Sequence, residues 1–489
     1  MLFNSYEFIF LFLPVTLVIY FLLNKIRLTV ASNAWLLFAS LVFYSWWNVK
    51  YLPLILVSIL FNYTIGYLLV EHGSIKKQTI SKKGIFFFGL IGNLAFLGYF
   101  KYMDFFIGNL NTLFSADLPL LQIVLPLGIS FFTITQIAFL VDCYEGLVED
   151  RRLLSYSLFV TFFPHLLAGP ILHHKEMMPQ FEAVRNKVLN YKNLSLGLFL
   201  FFVGLFKKVI IADELSRSVK LGFDSAASLN MVEAWVTSLS YTLQLYFDFS
   251  GYSDMAVGVG LLFNIVLPIN FNSPYKATNI IDFWKRWHMS LTTFITTYLY
   301  APIVRSFRKI TFAKSMLATF LAMFIAGIWH GAGWTFVIWG ALHGGALVVN
   351  HLWKRRKLKL PPLLGWLITF NFVNAGFVFF RAKSVGDAVN VLRGMVGVNG
   401  VLPRTIAKFT FSELGHGNFW KLLLANLKTN DKAIWMLIVI LVFTLTCKNS
   451  IELEQSFKPS WKTLVFLVAI SLYTLSNMNK VSEFLYFRF

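Results

Sequence analysis

Long apolar runs separated by short polar segments constrain this chain more than any other feature of its sequence. They lie near residues 8–24, 30–47, 51–70, 84–100, 119–141, 154–169, 194–212, 232–247, 255–269, 312–330, 333–352, 363–380, 433–447 and 461–476. A helix of about 20 apolar residues crosses the hydrocarbon core of a bilayer, and the shorter runs suit re-entrant segments, so we expect roughly 11–14 such helices. The pattern predicts an all-α polytopic membrane protein.

Composition excludes a soluble enzyme, because 57% of the residues are hydrophobic and only 13% are charged. The formal net charge of +20 resides in short clusters between apolar runs, without a nucleic-acid-binding motif. We therefore interpret the basic residues as topology determinants that contact membrane lipids. Cys143 and Cys447 lie far apart without metal-ligand spacing, so we expect neither a disulfide framework nor a metal site.

The distribution of basic residues predicts the orientation of the first helices. No basic region or cleavage site frames the first apolar run, so we expect it to stay as a membrane helix rather than a removable signal peptide. Cytoplasmic loops are enriched in Lys and Arg. The odd-numbered loops carry Lys25, Arg27, Lys76, Lys77, Lys82, Lys83, Arg151 and Arg152, whereas the even-numbered loops carry Lys50 and Lys101. This bias predicts that the N-terminus is outside.

Two histidines, His330 and His343, lie inside the apolar stretch 311–352. As one helix this stretch would measure roughly 60 Å, about twice the hydrocarbon thickness. We therefore expect it to break, and the glycines of 331–333 mark the place. Titratable groups at membrane depth are costly and usually functional, which makes both histidines candidate site residues.

The polar stretch 270–310 contains a segment, 279–293, whose periodicity predicts an amphipathic helix. Trp284 and Trp287 would lie on its apolar side, as in an interfacial aromatic belt, with His288 at the edge. Asp282 and Arg286 are four residues apart and can pair across one turn.

Upstream, Asp248 and Asp254 lie among aromatic and small residues, where carboxylates need partners. Lys285 or Arg286 could supply the positive charge, and a structural ion pair or a helix cap near Ser253 is the alternative. The segment 163–170, with His165, is expected to be a helix end followed by a turn.

Five motifs, in this order, make the chain resemble the membrane-bound O-acyltransferase family, and more closely its alginate O-acetyltransferase branch. They are Phe163-Pro-His-Leu-Leu-Ala-Gly-Pro170, Gln244-Leu-Tyr-Phe-Asp-Phe-Ser-Gly-Tyr-Ser-Asp254, Phe283-Trp-Lys-Arg-Trp-His-Met-Ser-Leu291, Trp329-His-Gly331 and Trp339-Gly-Ala-Leu-His-Gly344. The opening residues 1–14, the motif 379–382 and the ending 484–489 also resemble that branch. The similarity thus covers essentially the whole chain.

The resemblance implies one membrane domain over 1–489, with N-terminal helices in 1–153, a catalytic core in 154–352 and C-terminal helices in 353–489. The polar interruption 382–432 is expected to be an extramembrane excursion with short helices, for example around 387–395. In this family a cytoplasmic tunnel meets an outward-facing funnel at a histidine, which His330 matches, and His288 matches its second important position. The resemblance implies Asp248, Trp329, His343, Ser250 and Arg286 as supporting pocket residues.

The implied reaction moves an acetyl group from a cytoplasmic thioester, acetyl-CoA or another acyl donor, toward an extracytoplasmic polysaccharide hydroxyl. No bound cofactor is expected, since the thioester is already activated and a neutral imidazole can act as the base. No Gly-x-Ser-x-Gly motif is present, so a periplasmic hydrolase-like partner is expected to complete transfer at the bacterial inner membrane.

The acceptor and the acyl group stay open. Residues 301–309 depart from the glycine-rich segment usual in close relatives, so alginate, peptidoglycan and other envelope glycans are all candidates. Transfer of D-alanine or another acyl group to an envelope polymer is an alternative within the enzyme class. A non-catalytic polysaccharide-export or transport component is the alternative outside it, although transporters usually show paired halves, and the polar groups here cluster once, between 244 and 345.

Overall fold

The computed structural model describes all residues except 73–80, 149, 151, 225–227, 402–432, 479–483 and 486–489. Over these described residues the chain is helical and contains no strand. The α-helices are α1 Leu13–Lys25, α2 Thr29–Ser45, α3 Leu52–Val70, α4 Lys82–Leu97, α5 Met103–Phe114, α6 Ile129–Tyr144, α7 Leu153–Thr161, α8 Phe163–Leu166, α9 His174–Glu182, α10 Tyr191–Phe206, α11 Asp213–Phe223, α12 Met231–Leu262, α13 Ile280–Trp284, α14 Met289–Phe294, α15 Ala301–Ser306, α16 Phe312–His330, α17 Trp334–Arg355, α18 Pro362–Arg381, α19 Val385–Met395, α20 Ala433–Thr446, α21 Ser450–Gln455 and α22 Trp461–Ser476.

Two compact units make up the chain. The first comprises Met1–Phe206, Gly251–Asn270 and Glu454–Phe489, and the second comprises Lys207–Ser250 and Phe271–Leu453. Every candidate catalytic or pocket residue predicted from the sequence belongs to the second unit.

Apolar helices of membrane-spanning length confirm a multi-pass membrane protein. Seven stretches are long and apolar enough to cross a bilayer, and four shorter apolar helices accompany them in the described part of the chain. The seven are Phe8–Lys25, Val49–Val70, Lys82–Phe114, Tyr191–Phe223, Phe312–His330, Trp334–Arg355 and Pro362–Arg381. The seven stretches and the four shorter helices make eleven apolar segments, which is the lower end of the predicted range of 11–14.

Several predicted boundaries were wrong. The run 119–141 is helical only from Ile129 onward, because its first part is an irregular segment that contains two prolines. The runs 232–247 and 255–269 are not two separate helices: α12 continues as far as Leu262. The run 154–169 is interrupted at Phe162, between α7 and α8, and Pro164 lies in the first turn of α8, a position that suits proline. The helix predicted around 387–395 is present as α19, but residues 402–432 of the predicted excursion lie outside the described residues.

The helical hairpin α16–α17 forms the centre of the second unit. α16 ends at His330 and α17 begins at Trp334, so the predicted break at residues 331–333 is confirmed. Close approach of the two helices depends on Gly327 and Gly340. A Cβ on Gly327 would lie 2.6 Å from the carbonyl oxygen of Phe336 and 2.7 Å from Cα of Gly340. Small residues permit such backbone contact between membrane helices.

We expect Gly327→Ala to lower the thermal unfolding midpoint of the detergent-solubilised protein, because its methyl group meets backbone atoms that cannot rotate away. Overpacking of this kind costs about 1–3 kcal/mol. Gly345→Ala is the matched control, since a Cβ on Gly345 meets nothing within 4 Å. The helix-packing interpretation is wrong if both variants unfold at the same temperature.

The predicted amphipathic helix over 279–293 is two short helices instead. α13 ends at Trp284, whose carbonyl accepts a hydrogen bond from the Thr292 hydroxyl at 3.0 Å. His288 adopts a left-handed conformation with φ of 44° and directly precedes α14. Such a conformation is uncommon for a residue with a side chain and stops a helix, which hydrophobic periodicity cannot reveal.

Candidate active site

His330, the last residue of α16, is buried in a cage of aromatic rings. Its imidazole lies edge-on to Trp339 of α17, with ring centroids 5.0 Å apart at 87°. Phe380 of α18 closes another side at 5.1 Å, and the neighbouring Trp329 ring lies at 5.0 Å. The end of α16 therefore presents an imidazole that is shielded from bulk water by three large rings.

His343, one of the predicted supporting residues, is completely buried on the same helix as Trp339. The centroids of these two rings are 4.7 Å apart, and the Trp284 ring lies 5.3 Å from His343 on another side. Neither ring nitrogen of His343 has a hydrogen-bond partner within the described residues. A buried imidazole without partners is costly, so the position is not explained by hydrogen bonding that stabilises the fold.

His288 is completely buried at the start of α14. The ring of Phe249, from α12, meets it edge-on with centroids 4.7 Å apart at 86°. The preceding residue, Trp287, packs against Phe271 and Phe377 with centroids 5.1 Å away in each case. Its left-handed backbone and its aromatic surroundings thus fix the position of the His288 ring.

A continuous series of aromatic contacts connects His330 with His288. The intervening rings are, in order, Trp339, Trp284, Phe283, Trp287, Phe271 and Phe249, and successive ring centroids are 4.7–5.8 Å apart. The two predicted catalytic histidines and His343 consequently belong to one apolar core of the second unit.

Asp248 has a different ion partner from the ones predicted. Its carboxylate accepts from the ammonium of Lys208 at 2.6 Å, and both side chains are almost completely buried. Lys208 also pairs with Asp213 at 2.9 Å. Lys285 and Arg286 were therefore wrong as the expected partner of Asp248. Lys208, in the π-helical segment Lys207–Ala212 between α10 and α11, reaches this carboxylate from 40 residues upstream.

The remaining predicted pocket residues have distinct surroundings. Arg286 donates from Nε to Asp282 at 2.9 Å, which confirms the predicted pair across one helical turn. Ser250 is buried, and its hydroxyl has no hydrogen-bond partner in the part of the chain that the structure describes. Trp329 is half-buried beside His330.

Three tryptophans in this core were not predicted to belong to the site. Trp339 contacts both His330 and His343, and its position one turn before His343 in an apolar run was the available signal. Trp284 and Trp287 were expected in an interfacial belt, but their side chains are only 5% and 3% exposed. That belt prediction was wrong, because the short helices α13 and α14 direct these rings into the core.

A cavity of about 260 Å³ borders this core, with Trp284 in its wall. Apolar side chains of α16 and α17, with Ile295 just after α14, line most of it, together with threonine hydroxyls and the ammonium-bearing side chain of Lys285. The lining includes Ile295, Met323, Leu347, Thr292, Thr296 and Thr319. Trp284 therefore separates the cavity from His343 and Trp339, and through Trp339 from His330.

The end of α18 is held by an ion pair that involves the motif 379–382. Arg381 contacts Asp224 at 3.0 Å, and Lys383 contacts the same carboxylate at 3.0 Å. Partial burial opposes ionisation of Asp224, but the hydrogen bonds and positive charges of Lys383 and Arg381 outweigh it and hold the pKa of this carboxyl below its ordinary value. The ion pair fixes the helix that supplies Phe380 to the cage around His330.

Comparison with known proteins shows which family this chain belongs to. The family model described as MBOAT, membrane-bound O-acyltransferase family, matches residues 3–382, a range that includes both short helices, the α16–α17 hairpin and Phe380. This chain belongs to the membrane-bound O-acyltransferase family. It is an acyltransferase, and His330 and His288 are its candidate catalytic residues.

Individual members of the family are similar to this chain to different degrees. The chain is 44% identical to a peptidoglycan O-acetyltransferase of Helicobacter pylori, over 100% of this chain and 98% of that protein. It is 38% identical to a probable alginate O-acetylase of Pseudomonas aeruginosa, over 81% of this chain and 75% of that protein. A teichoic acid D-alanyltransferase of Bacillus subtilis is 29% identical over 53% of this chain and 69% of its own length.

Proposed function

We propose that this acyltransferase O-acetylates peptidoglycan, using a cytoplasmic acetyl thioester, acetyl-CoA, as the donor. The observation that carries the proposal is the aromatic cage that shields the imidazole of His330 in a chain of this family. The rings of Trp339 and Trp284 lie between this imidazole and the cavity. Similarity to the peptidoglycan enzyme along the full length of both chains supports this acceptor over alginate. We place the protein in the bacterial inner membrane with its N-terminus outside, as the basic loops predict.

Charge supports placing the donor in the cavity of about 260 Å³. No Asp or Glu occurs between Phe283 and Gly386. Arg355, at the end of α17, stacks over Phe312 at the start of α16 at 4.4 Å, which brings two basic loops to one end of the hairpin. These loops and the helix ends beside them carry Arg305, Arg308, Lys309, Lys354, Arg356, Lys357 and Lys359. Cations here would attract the phosphates of a coenzyme A thioester, whose uncharged acetyl end suits the apolar lining.

The proposed chemistry needs one base and no bound cofactor. The imidazole of His330 removes the proton from the acceptor hydroxyl. At the same time the hydroxyl oxygen attacks the thioester carbonyl carbon, so a C–O bond forms. The C–S bond then breaks, and the imidazolium returns the proton to the departing thiolate. Positioned general bases contribute about 10²- to 10⁴-fold to such reactions.

His288 is proposed to orient or polarise the thioester, a role that suits its fixed left-handed backbone. Asp248 and Lys208 are proposed as positioning residues, since Asp248 is adjacent to Phe249, whose ring packs on His288. Trp329, His343, Ser250 and Arg286 are proposed to shape the surrounding pocket. An extracytoplasmic hydrolase-like partner is proposed to complete delivery to the glycan.

Trp284→Ala is expected to change the acyl length that the enzyme accepts. Removing this ring joins the cavity to the space beside His343, which leaves room for a longer acyl chain. Relative to acetyl transfer, butyryl transfer should rise about tenfold, because each additional buried methylene gains about 0.8 kcal/mol. Competition between the two thioesters in membranes measures this ratio. Trp353→Ala, a surface tryptophan with 39% exposure, is the control, and an unchanged ratio in Trp284→Ala would place the donor elsewhere.

The proposed function is tested by deleting the gene and measuring esters released by mild base from each envelope polymer separately. Acetate should disappear from peptidoglycan and return only when the chain is supplied again. Loss of D-alanine esters instead would support the aminoacyl alternative, which the similarity to D-alanyltransferases keeps in consideration. Loss of a glycan from the surface without change in its esters would support the export component.

A further inference from the structure

The first unit contains a segment that extends beyond the thickness of a bilayer. At one end of α4, Lys82 lies over the Tyr144 ring at 5.4 Å and Phe86 stacks on Tyr144 at 4.7 Å. Beyond the other end, the ammonium of Lys101 donates to the Ser130 hydroxyl at 3.0 Å. Helical rise between Lys82 and Lys101 gives about 28 Å, close to one hydrocarbon thickness.

α5 begins beyond Lys101, about one hydrocarbon thickness away from Lys82. Its residues Met103–Phe114 add about 18 Å of helix, whereas the antiparallel helix α6 begins at Ile129 and has no counterpart to them. An irregular segment, residues 115–127, connects the end of α5 to α6, and we term it the strap. With Lys82–Lys101 as the part that crosses the hydrocarbon layer, α5 and the strap lie beyond that layer.

Side chains of α5 hold the strap in one conformation. Asp104 accepts hydrogen bonds from the backbone amides of Leu121 and Ile123 at 2.7 and 3.1 Å. The Asn111 amide group accepts from the Leu118 amide at 2.9 Å and donates to the Leu118 carbonyl at 2.8 Å. These four bonds satisfy strap backbone groups locally, so the surface is formed in advance of any binding.

The same segment exposes a group of large apolar side chains. Leu113, Phe114 and Val124 are 75%, 68% and 71% exposed, and Leu118, Leu120 and Leu121 are exposed as well. A group of exposed apolar side chains outside the bilayer marks an interaction site.

Charge favours a protein over the lipid surface as the occupant. Segments that lie in the membrane interface are rich in Lys and Arg, which attract anionic headgroups. The sequence has no Lys or Arg between Lys101 and Arg151, and Asp104 and Asp117 are the charged residues of α5 and the strap. An acidic, apolar surface of this kind is poorly suited to anionic lipid.

We propose that α5 and the strap form the docking surface for an extracytoplasmic protein with a complementary apolar groove, the partner that carries the acetyl group onward to the glycan. The inference rests on the proposed function for the partner's role. The scarcity of basic residues places this end of the unit outside the cytoplasm.

The double variant Leu120→Ser/Val124→Ser tests the proposal in cells. Peptidoglycan ester acetate should fall about tenfold, the loss expected when two apolar anchors of an interface are truncated. Membrane abundance should be unchanged, as should release of free thiol from acetyl-CoA by the purified protein, because both side chains are on the surface. Val184→Ser/Tyr191→Ser is the control, since these side chains are 80% and 74% exposed elsewhere in the same unit.

A photoreactive amino acid at position 124 identifies the occupant. We expect a cross-link to an extracytoplasmic protein whose own deletion removes the same ester acetate. Cross-links only to lipid, or only to a second copy of this chain, would overturn the proposal, as would wild-type acetylation by the double variant. Failure of wild type to acetylate any glycan would instead count against the proposed function, so the two failures are distinguishable.

Discussion

Replacing His330 with alanine is expected to lower ester acetate on peptidoglycan to the level of a strain without this chain. The imidazole lies in the cage formed by Trp329, Trp339 and Phe380, where it is the proposed base. Loss of a positioned base costs about 10²- to 10⁴-fold in rate. Mild-base release of acetate from purified peptidoglycan, normalised to the amount of protein in the membrane, measures the effect.

His72→Ala is the matched control, because His72 follows the end of α3 in the first unit, outside the site. His288→Ala should also abolish acetylation if this residue orients the donor. Normal acetylation by either site variant, at normal abundance, would remove that histidine from the mechanism.

The second large effect concerns stability. Lys208→Met should destabilise the protein by about 3–5 kcal/mol, because it leaves the buried carboxylate of Asp248 without its cation. Asp213 is less affected, since its side chain is partly exposed and can be hydrated. Thermal unfolding in detergent, monitored by loss of the monodisperse chromatographic peak, measures the change.

The double variant Lys208→Met/Asp248→Leu separates the charge from the packing. Replacing both members of a buried ion pair by apolar residues is often neutral, so the double variant should recover most of the stability. If Lys208→Met is as stable as wild type, the pair is not buried in the folded protein. If the double variant is stable but inactive, the pair contributes to positioning Phe249 and His288 as proposed.

The sequence was sufficient to predict the helical hairpin at the centre of the site. A run twice as long as a bilayer is thick has to break, and only Gly331 and Gly333 offered a break between His330 and the next apolar run. The position of His330 at a helix end followed from that constraint. Local rules also predicted the Asp282–Arg286 pair, since both residues belong to one helical turn.

Tertiary contacts account for the features that could not be predicted. Hydrophobic periodicity over 279–293 is compatible with one helix. The hydrogen bond from the Thr292 hydroxyl to the Trp284 carbonyl, at the end of α13, is a contact that forms only in the folded state. The partner of Asp248 could not be identified for the same reason, because Lys208 is brought to it by packing of helices 40 residues apart. Apolar composition also concealed the strap, where prolines and side-chain bonds from α5 replace the expected helix.

The most direct test of the central claim is acetyl transfer in permeabilised cells that retain their walls and envelope proteins. Radiolabelled acetyl-CoA is supplied, and the label that mild base releases from purified peptidoglycan is counted. We predict label in the wall of cells with the wild-type chain and only background with His330→Ala at equal abundance. Equal label in both would contradict the role of His330, and background label in both, with wall acetate still formed from cellular donors, would contradict acetyl-CoA as the donor.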